Sequence, residues 1–290
     1  MSTPVTLGHI AEMMSELRAY HKRTVVVKIG GNSIAEDDLF LSKIARQIIF
    51  LNTNGVRVIL VHGGGPQIDN ALSDKNIETI KGDDGRRITS PKALRIVASV
   101  MKTVNRQVVD SLIEAGWPKD KIFASYKQKR PVVYAESLDP SNPKSNRSGF
   151  PTSVNVSILD KALREGKIVV LHSLAISPDG KLYYNTNGDD YAMIVAREMR
   201  AKRLIMVTNV AGVLDQNRER IPVIDPILAK ELISDGTVTG GMIPKVESAL
   251  TIVKQGVGGV AIIDGFRPWA ILGELLTHQG RGTLFRSRVM

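Results

Sequence analysis

The chain has 290 residues, of which 43% are hydrophobic and 23% charged, and it contains no cysteine. This composition is that of an ordinary soluble globular protein, long enough for one or two domains with a large buried core. It excludes disulfide bonds and thiolate metal sites. No apolar run approaches the roughly 20 residues that a membrane-spanning helix needs.

The chain is strongly basic, with 39 Lys and Arg against 29 Asp and Glu and a formal net charge of +10. Such a balance suits a protein that handles anions such as nucleotides, and it also suits nucleic-acid binding. Because aromatic residues make up only 5% of the chain and no recognition motif is found, we expect no nucleic-acid partner. The N-terminus lacks the order of residue types found in signal peptides, so we expect a cytoplasmic protein with no membrane partner.

The chain begins with a predicted amphipathic helix within residues 1–23. Its apolar residues at helical spacing are Ile10, Met13, Met14 and Leu17. This stripe either covers the core or contacts another subunit. A buried strand over Val25–Val27 follows and leads into a lysine and two glycines at 28–31.

The next helix is predicted to carry the acidic residues Glu36, Asp37 and Asp38 in its first turn, where they would favour the helix dipole. Its predicted buried stripe consists of Leu41, Ile44, Ile48 and Leu51. A second buried strand, Val58–Val61, runs into three glycines at 63–65, and another helix starts after Pro66.

A long helix is predicted over residues 91–115, because Ser90 and Pro91 are typical of a helix cap and of a first helical position. One face is apolar from Leu94 to Leu112 and serves either the core or a subunit contact. Residues 132–134 predict a strand, and residues 139–149 predict a loop rich in Pro, Asn and Ser.

The rest of the chain alternates between strands and helices. Predicted helices are 156–165, 189–200, 229–233, one after Lys245 and one from Trp269; predicted strands are 168–171, 182–184 (after a turn at 177–180), 204–207 and 260–263. Such alternation predicts a mainly parallel sheet covered by helices on both faces, an αβα sandwich. Its site is expected outside the carboxyl ends of the strands.

The two strand–glycine–helix junctions predict a site for phosphate oxygens. Backbone N–H groups of glycines 30–31 and 63–65 can approach an anion closely. Lys28 and Lys245 can supply two cations, and Asp189 can hold lysine side chains or Mg²⁺. Taken singly, the same residues also fit a tight turn, a solvated strand end and a helix cap.

Other phosphate-binding and catalytic motifs are absent. No Walker-type loop or dinucleotide fingerprint occurs. His62 lies beside the glycine loop, but nothing in the sequence pairs it with a nucleophile, so a hydrolase triad has little support.

Three motifs resemble those of the amino acid kinase family: Val27–Asn32 (VKIGGN), His62–Gln67 (HGGGPQ) and Gly240–Val246 (GGMIPKV). The resemblance covers about residues 22–288. It is strongest to the members that phosphorylate N-acetylglutamate in arginine biosynthesis. It implies ATP-dependent phosphorylation of the γ-carboxylate of N-acetyl-L-glutamate, with Mg²⁺ as cofactor.

The resemblance also implies a role for particular residues. Catalysis would fall to Lys28, Lys245 and the aspartate that organises them, Asp189. Phosphoryl and ATP binding would fall to Gly30, Gly31, Asn209, Gly212, Asp215, Gly241 and Met242. Substrate binding would fall to Gly63, Gly64, Gly65, Arg87, Asn185 and Asn187, with Arg87 clasping the α-carboxylate. No protein ligand for a metal is predicted.

The implied organisation is one continuous domain with an N-terminal helix (1–23), an acyl-amino-acid-binding half (24–184) and a nucleotide-binding half (185–290). The implied partners are the small-molecule substrate and a second copy of the chain. A homodimer would form through helix 91–115, and a hexamer through the N-terminal helix. Glu274 and residues 280–283 resemble part of the site of arginine-inhibited members.

Four acceptor-half segments depart from the family pattern: Ser125–Lys129, His172–Ala175, Gly149–Thr152 and Thr103. These departures leave two alternatives open. One is a kinase for a related acidic amino acid, including aminoadipate or glutamate linked to an acidic carrier protein, which Gly188–Asp189 and Asn209–Val210 resemble more closely. The other is a regulatory paralogue that binds ligand without turnover.

Overall fold

The computed structural model describes residues 6–37, 39–82 and 85–287. Its helices are α1 Leu7–Tyr20, α2 Gly31–Glu36, α3 Phe40–Thr53, α4 Gly65–Ser73, α5 Pro91–Glu114, α6 Val156–Arg164, α7 Gly188–Glu198, α8 Pro226–Ser234, α9 Met242–Lys254 and α10 Ala270–Leu276. Its strands are β1 Thr24–Ile29, β2 Arg57–His62, β3 Ile80–Lys81, β4 Arg87–Ile88, β5 Ile122–Ala124, β6 Val133–Ser137, β7 Ser148–Val154, β8 Ile168–His172, β9 Leu174–Ile176, β10 Tyr183–Thr186, β11 Arg203–Thr208, β12 Val223–Ile224, β13 Val260–Asp264 and β14 Thr283–Phe285.

The central sheet has the strand order β12-β14-β13-β11-β1-β2-β8-β5. Neighbouring strands are parallel except for the antiparallel pair β13 and β14. The prediction of a mainly parallel central sheet is therefore confirmed. No helix in the described ranges combines the length and apolarity needed to span a bilayer.

Side chains of the central strands alternate between two apolar cores. In β1, Val26 packs with α6 to α9 on one face, whereas Val25 and Val27 pack with α3, α5 and α10 on the other. All three valines are fully buried. Because both faces are covered by helices, the middle of each of these strands is a continuous apolar run, as in buried parallel strands. The αβα sandwich predicted from the sequence is the observed architecture.

A second, smaller β unit accounts for the segment that was hardest to predict. Strands β10, β7, β6 and β9 close into a small barrel beside the main sheet. The predicted strand at 132–134 corresponds to β6, and β7 begins inside the predicted loop, at Ser148. The predicted hairpin is confirmed, with β9 and β10 antiparallel around the turn at residues 177–180.

The predicted single helix after Gly31 is wrong, because the chain forms two helices there. Glu36 ends α2, and the Asp37 carboxylate then accepts hydrogen bonds from the Leu39 N–H and the Lys43 ammonium. These bonds satisfy a backbone donor just before α3, so the acidic residues separate two helices instead of opening one. Asp38 lies outside the described residues. The predicted stripe of α3 is packed as expected.

Helices α1 and α5, for which the sequence allowed either a core role or a subunit contact, differ in their packing. The stripe of α5 is buried against this chain's own sheet and α4, from Val97 to Leu112, which supports the core interpretation. Ser90 caps α5 by accepting the Ala93 N–H, as predicted. In α1, Met13 and Leu17 pack on the core, whereas Ile10 and Met14 are exposed.

Two histidines lie side by side beneath α5, at the carboxyl ends of β2 and β8. His62 is the strand partner of His172. Asn105 donates from Nδ2 to His62 Nε2 (2.9 Å), and its Oδ1 accepts the Tyr126 N–H (3.3 Å), which fixes the orientation of the amide. His62 Nδ1–H then donates to the Gly63 carbonyl (3.0 Å). The pattern requires neutral His62, protonated on Nδ1.

Burial sets the charge state of both imidazoles. It lowers the pKa of His62 to about 4. Burial, together with the neighbouring His62, lowers the pKa of His172 to about 3. Both side chains are therefore neutral near pH 7. The unfolded chain takes up protons on these residues as the pH falls through about 6.5, which the folded chain cannot do without charging its core.

We predict that this pair makes the fold acid-sensitive. The free energy of unfolding is fully retained above about pH 6.5 and falls toward pH 4, by about 1.4 kcal/mol per pH unit for each histidine. His172→Gln should remove one such contribution and flatten the slope, as measured by urea unfolding at several pH values. The exposed His21 is the matched control, and His21→Gln should keep the wild-type slope. Equal slopes for His172→Gln and wild type would contradict the prediction.

Candidate active site

Two glycine loops meet where β1 and β2 end. Ile29 and His62, the last residues of these strands, are paired in register, and the Gly63 N–H donates to the Ile29 carbonyl (3.2 Å). A Cβ added to Gly31 would lie 2.7 Å from the Gly65 nitrogen. A side chain at position 31 would therefore force the two loops apart.

The Gln67 side chain fastens the two loops together. Its Nε2 donates to the Gly31 carbonyl (3.1 Å), and its Oε1 is buried between the loops. Gly64 precedes α4, and no side chain caps this helix. The N-terminus of α4 therefore faces the cleft without a side-chain acceptor, an arrangement that favours anions.

Lys28 and Asp189 form an ion pair beside these loops. Lys28 is the penultimate residue of β1, and its Nζ lies 2.7 Å from Asp189 Oδ1. The lysine side chain is 14% exposed, so it is not a solvated strand end. Asp189 is not the cap of α7 either, because Asn187 accepts the N–H groups of Asp189 and Asp190. The first turn of α7 favours the aspartate charge.

Lys245 approaches the same cleft from another helix. It lies in the first turn of α9, is exposed, and lines the cleft together with Lys28 and both glycine loops. Two lysines that are 217 positions apart in the sequence (245 − 28) therefore border one opening. A site for phosphate oxygens with two cations, as predicted from the sequence, requires the two lysines to border the same cleft.

The cleft has a volume of about 420 Å³. Its charged lining residues are Lys28, Lys81, Arg86, Arg87, Lys245, Asp69 and Asp189. Among the lining residues that the structure describes, five cations against two carboxylates give a positive excess. The cleft therefore favours anionic ligands.

Arg87 is fixed in place at one side of the cleft. Its Nη2 lies 2.6 Å from Asp69 Oδ1, and its Nη1 donates to Thr79 Oγ1 (3.0 Å). Only 9% of the side chain is exposed. Nearby, Asn185 donates from Nδ2 to Thr89 Oγ1 (3.0 Å). These two of the six residues predicted to bind substrate thus line the cleft within a network of polar contacts.

The structure brings most of the predicted site residues together. The cleft is lined by Lys28, Gly30, Gly31, Gly63, Gly64, Gly65, Arg87, Asn185, Asn187, Asp189, Asn209 and Lys245. Four residues predicted to bind phosphoryl groups or ATP are not among its lining residues: Gly212, Asp215, Gly241 and Met242.

These four residues make contacts with other parts of the structure. Gly212, at φ +126°, packs against Thr283, and the Asp215 carboxylate accepts the N–H groups of Asn217 and Glu219. Gly241 precedes α9, and Met242 packs against the core. Their predicted roles remain predictions.

Sequence reasoning missed three charged residues of the lining: Asp69, Lys81 and Arg86. Asp69 follows the glycine loop on α4, one helical turn after Pro66, and this spacing was an available signal. Arg86 stands directly before Arg87, but its partner lies far along the chain, so the sequence held no local sign of its role.

Comparisons with known proteins identify relatives of this chain. The sequence profile of the amino acid kinase family matches residues 23–264. The chain is 38% identical over 283 residues to an acetylglutamate kinase from Afipia carboxidovorans, covering 95% of each chain. It is also 38% identical to one from Rhodopseudomonas palustris, covering 95% of this chain and 94% of that protein.

Solved structures show the same fold. N-acetylglutamate synthase from Neisseria gonorrhoeae matches with a TM-score of 0.81 at 21% identity, over 99% of this chain and 65% of that one. A Giardia carbamate kinase matches with a TM-score of 0.65 at 15% identity, over 92% of this chain and 99% of that one. The sequence match and the shared fold lead to one conclusion: this chain belongs to the amino acid kinase family.

Proposed function

We propose that this protein is an ATP-dependent kinase that phosphorylates the γ-carboxylate of N-acetyl-L-glutamate, a step of arginine biosynthesis. The observation that carries the proposal is the Lys28–Asp189 ion pair (2.7 Å) in a cleft that Lys245 and two glycine loops also line. Support for the acceptor comes from the acetylglutamate kinases to which the chain is 38% identical over 95% of its length.

In the proposed reaction, a γ-carboxylate oxygen of the acceptor forms a bond to the γ-phosphorus of ATP while the bond to the β–γ bridging oxygen breaks. The products are an acyl phosphate and ADP. Negative charge spreads over the transferred group, so positioning and cationic stabilisation dominate catalysis. Lys28 and Lys245 supply the cations from two sides. Asp189 holds the Lys28 ammonium so that it need not reorganise during transfer.

The glycine loops complete the proposed phosphoryl site. Gly63 already donates its N–H to Ile29, so we assign the donor role to Gly30, Gly31 and Gly64. Gln67 keeps the loops at a fixed separation. Because these donors are backbone groups in a rigid sheet–helix junction, they are organised before substrate binds.

Acceptor binding is assigned to Arg87 and Asn185. A guanidinium fixed on one side by Asp69 and Thr79 presents its remaining N–H groups in a defined direction. A planar fork of this kind suits bidentate binding of a carboxylate. We therefore assign the α-carboxylate of the acceptor to Arg87.

The positive lining of the cleft also fits the triphosphate of ATP. The described residues contain no group of three His, Asp or Glu side chains placed to hold a metal ion. Mg²⁺ usually keeps several waters and binds through substrate phosphates, so we propose that it enters with the nucleotide, where it would neutralise phosphate charge. The halves 24–184 and 185–290 would bind acceptor and nucleotide respectively. A cytoplasmic homodimer is part of the same proposal.

The first prediction of the proposed function concerns the product. Incubation with ATP, Mg²⁺, N-acetyl-L-glutamate and hydroxylamine should give a hydroxamate, because hydroxylamine traps acyl phosphates. Free glutamate and N-acetyl-L-aspartate serve as comparison acceptors. A stronger signal with another acidic acceptor would move the assignment to that acceptor. Nucleotide binding without hydroxamate from any acceptor would support the regulatory paralogue instead.

The second prediction concerns Lys245. Lys245→Ala should lower kcat by about 10²- to 10³-fold, because it removes a cation that stabilises transition-state charge. The KM values of both substrates should change much less. Lys254→Ala, at the other end of α9, is the matched control and should keep wild-type kcat. A Lys245→Ala enzyme that keeps kcat and loses only substrate affinity would contradict the assigned role.

A further inference from the structure

Two consecutive arginines connect the hairpin of β3 and β4 to two different helices. Arg86 donates from Nε (3.0 Å) and Nη2 (2.8 Å) to Asp190 Oδ2, in the first turn of α7. Arg87 pairs with Asp69 on α4 at 2.6 Å. The hairpin is therefore anchored on α4 and α7, two of the helices that border the cleft.

The Arg86–Asp190 pair is more than a solvated surface contact. Its side chains are only 29% and 17% exposed, and the Arg86 guanidinium lies 5.9 Å from the centre of the Phe150 ring. By comparison, the ion pair of Arg164 and Asp160 on α6 has an arginine that is 71% exposed. Partial burial, two N–H donors and an aromatic face each strengthen such a pair relative to an exposed one.

The hairpin needs such an anchor because it is small. Within the described ranges, β3 and β4 have two residues each, and neither pairs with any other strand. An isolated two-stranded hairpin is at best marginally stable. If the hairpin were free, each acceptor molecule would have to order it on binding, and that ordering would weaken affinity.

The position of Asp190 connects the hairpin to the catalytic centre. Asp190 directly follows Asp189, and the Asn187 side chain accepts the N–H groups of both. One end of α7 therefore holds Lys28 through Asp189 and the hairpin through Asp190. The first turn of α7 therefore helps to position both the hairpin that carries Arg87 and the Lys28 side chain.

We propose that Arg86 and Asp190 form a clamp that fixes the Arg87-bearing hairpin for acceptor binding. Both are positioning residues: they act through Arg87 and leave the chemistry to Lys28 and Lys245. The expected effect of the clamp on acceptor affinity rests on the proposed function. Its effect on the hairpin itself does not depend on which acceptor the protein uses.

The kinetic test is a double-mutant cycle of Arg86→Leu and Asp190→Ala, with Arg164→Leu as the matched control. Each single change should raise the KM of N-acetyl-L-glutamate about fivefold or more, while the KM of ATP stays within about twofold. The double variant should lose less affinity than the product of the two single effects, because the two residues share this contact. Arg86→Lys should recover part of the affinity.

A second measurement, amide hydrogen exchange of the ligand-free protein, tests the clamp without turnover. Arg86→Leu should speed exchange in peptides that contain β3 or β4, and Arg164→Leu should not. Active enzyme with unchanged acceptor KM, or multiplicative effects in the cycle, would overturn the inference. If the wild type neither binds nor phosphorylates N-acetyl-L-glutamate, the proposed function fails, and unchanged hairpin exchange in Arg86→Leu would then overturn the clamp separately.

Discussion

The ion pair between Lys28 and Asp189 is the interaction on which the site depends. A lysine at the end of a central strand is largely removed from water, and its charge needs a partner. Asp189 supplies it from the first turn of α7, and this pairing gives α7 a defined position against β1. A Cβ on Gly188 would be 3.6 Å from Lys28 Cε, so the helix approaches the lysine closely. The same contact thus orders the fold locally and places a cation beside the glycine loops.

The sequence predicted the elements whose signals are local. Buried strands such as Val58–Val61 are unbroken apolar runs, and the start of α5 is marked by its own capping residues. The sequence pattern failed to predict helix boundaries and strands that depend on tertiary contacts or on single side-chain contacts with the backbone. Asp37 lies between α2 and α3, and its carboxylate accepts hydrogen bonds from Leu39 and Lys43 just before α3 begins. The strands β12 and β14, at one end of the sheet, have two and three residues, too few for a periodic pattern to be visible.

The candidate site was predictable to the extent that its residues stand in motifs at strand ends and helix starts. Lys28 falls at a strand end of the parallel sheet, where such sheets gather their functional groups, and Asp189 and Lys245 stand in the first turns of α7 and α9. Asp69 and Arg86 escaped prediction because each matters through an ion pair, and the sequence does not show which charges meet. Arg86 and its partner Asp190 are 104 positions apart. Long-range pairs of this kind can be identified only from the folded structure.

Two of the segments that depart from the family pattern contact each other, and the Lys28–Asp189 ion pair is formed beside them. The Ser125 hydroxyl accepts the His172 N–H (3.0 Å), so two of the altered segments form a single hydrogen-bonded unit under α5. Phe150, in a third, lies against the Arg86 guanidinium. Lys28 is paired with Asp189 in the presence of these altered segments. The altered segments support the cleft themselves, with β8 held through Ser125 and the hairpin contacted through Phe150.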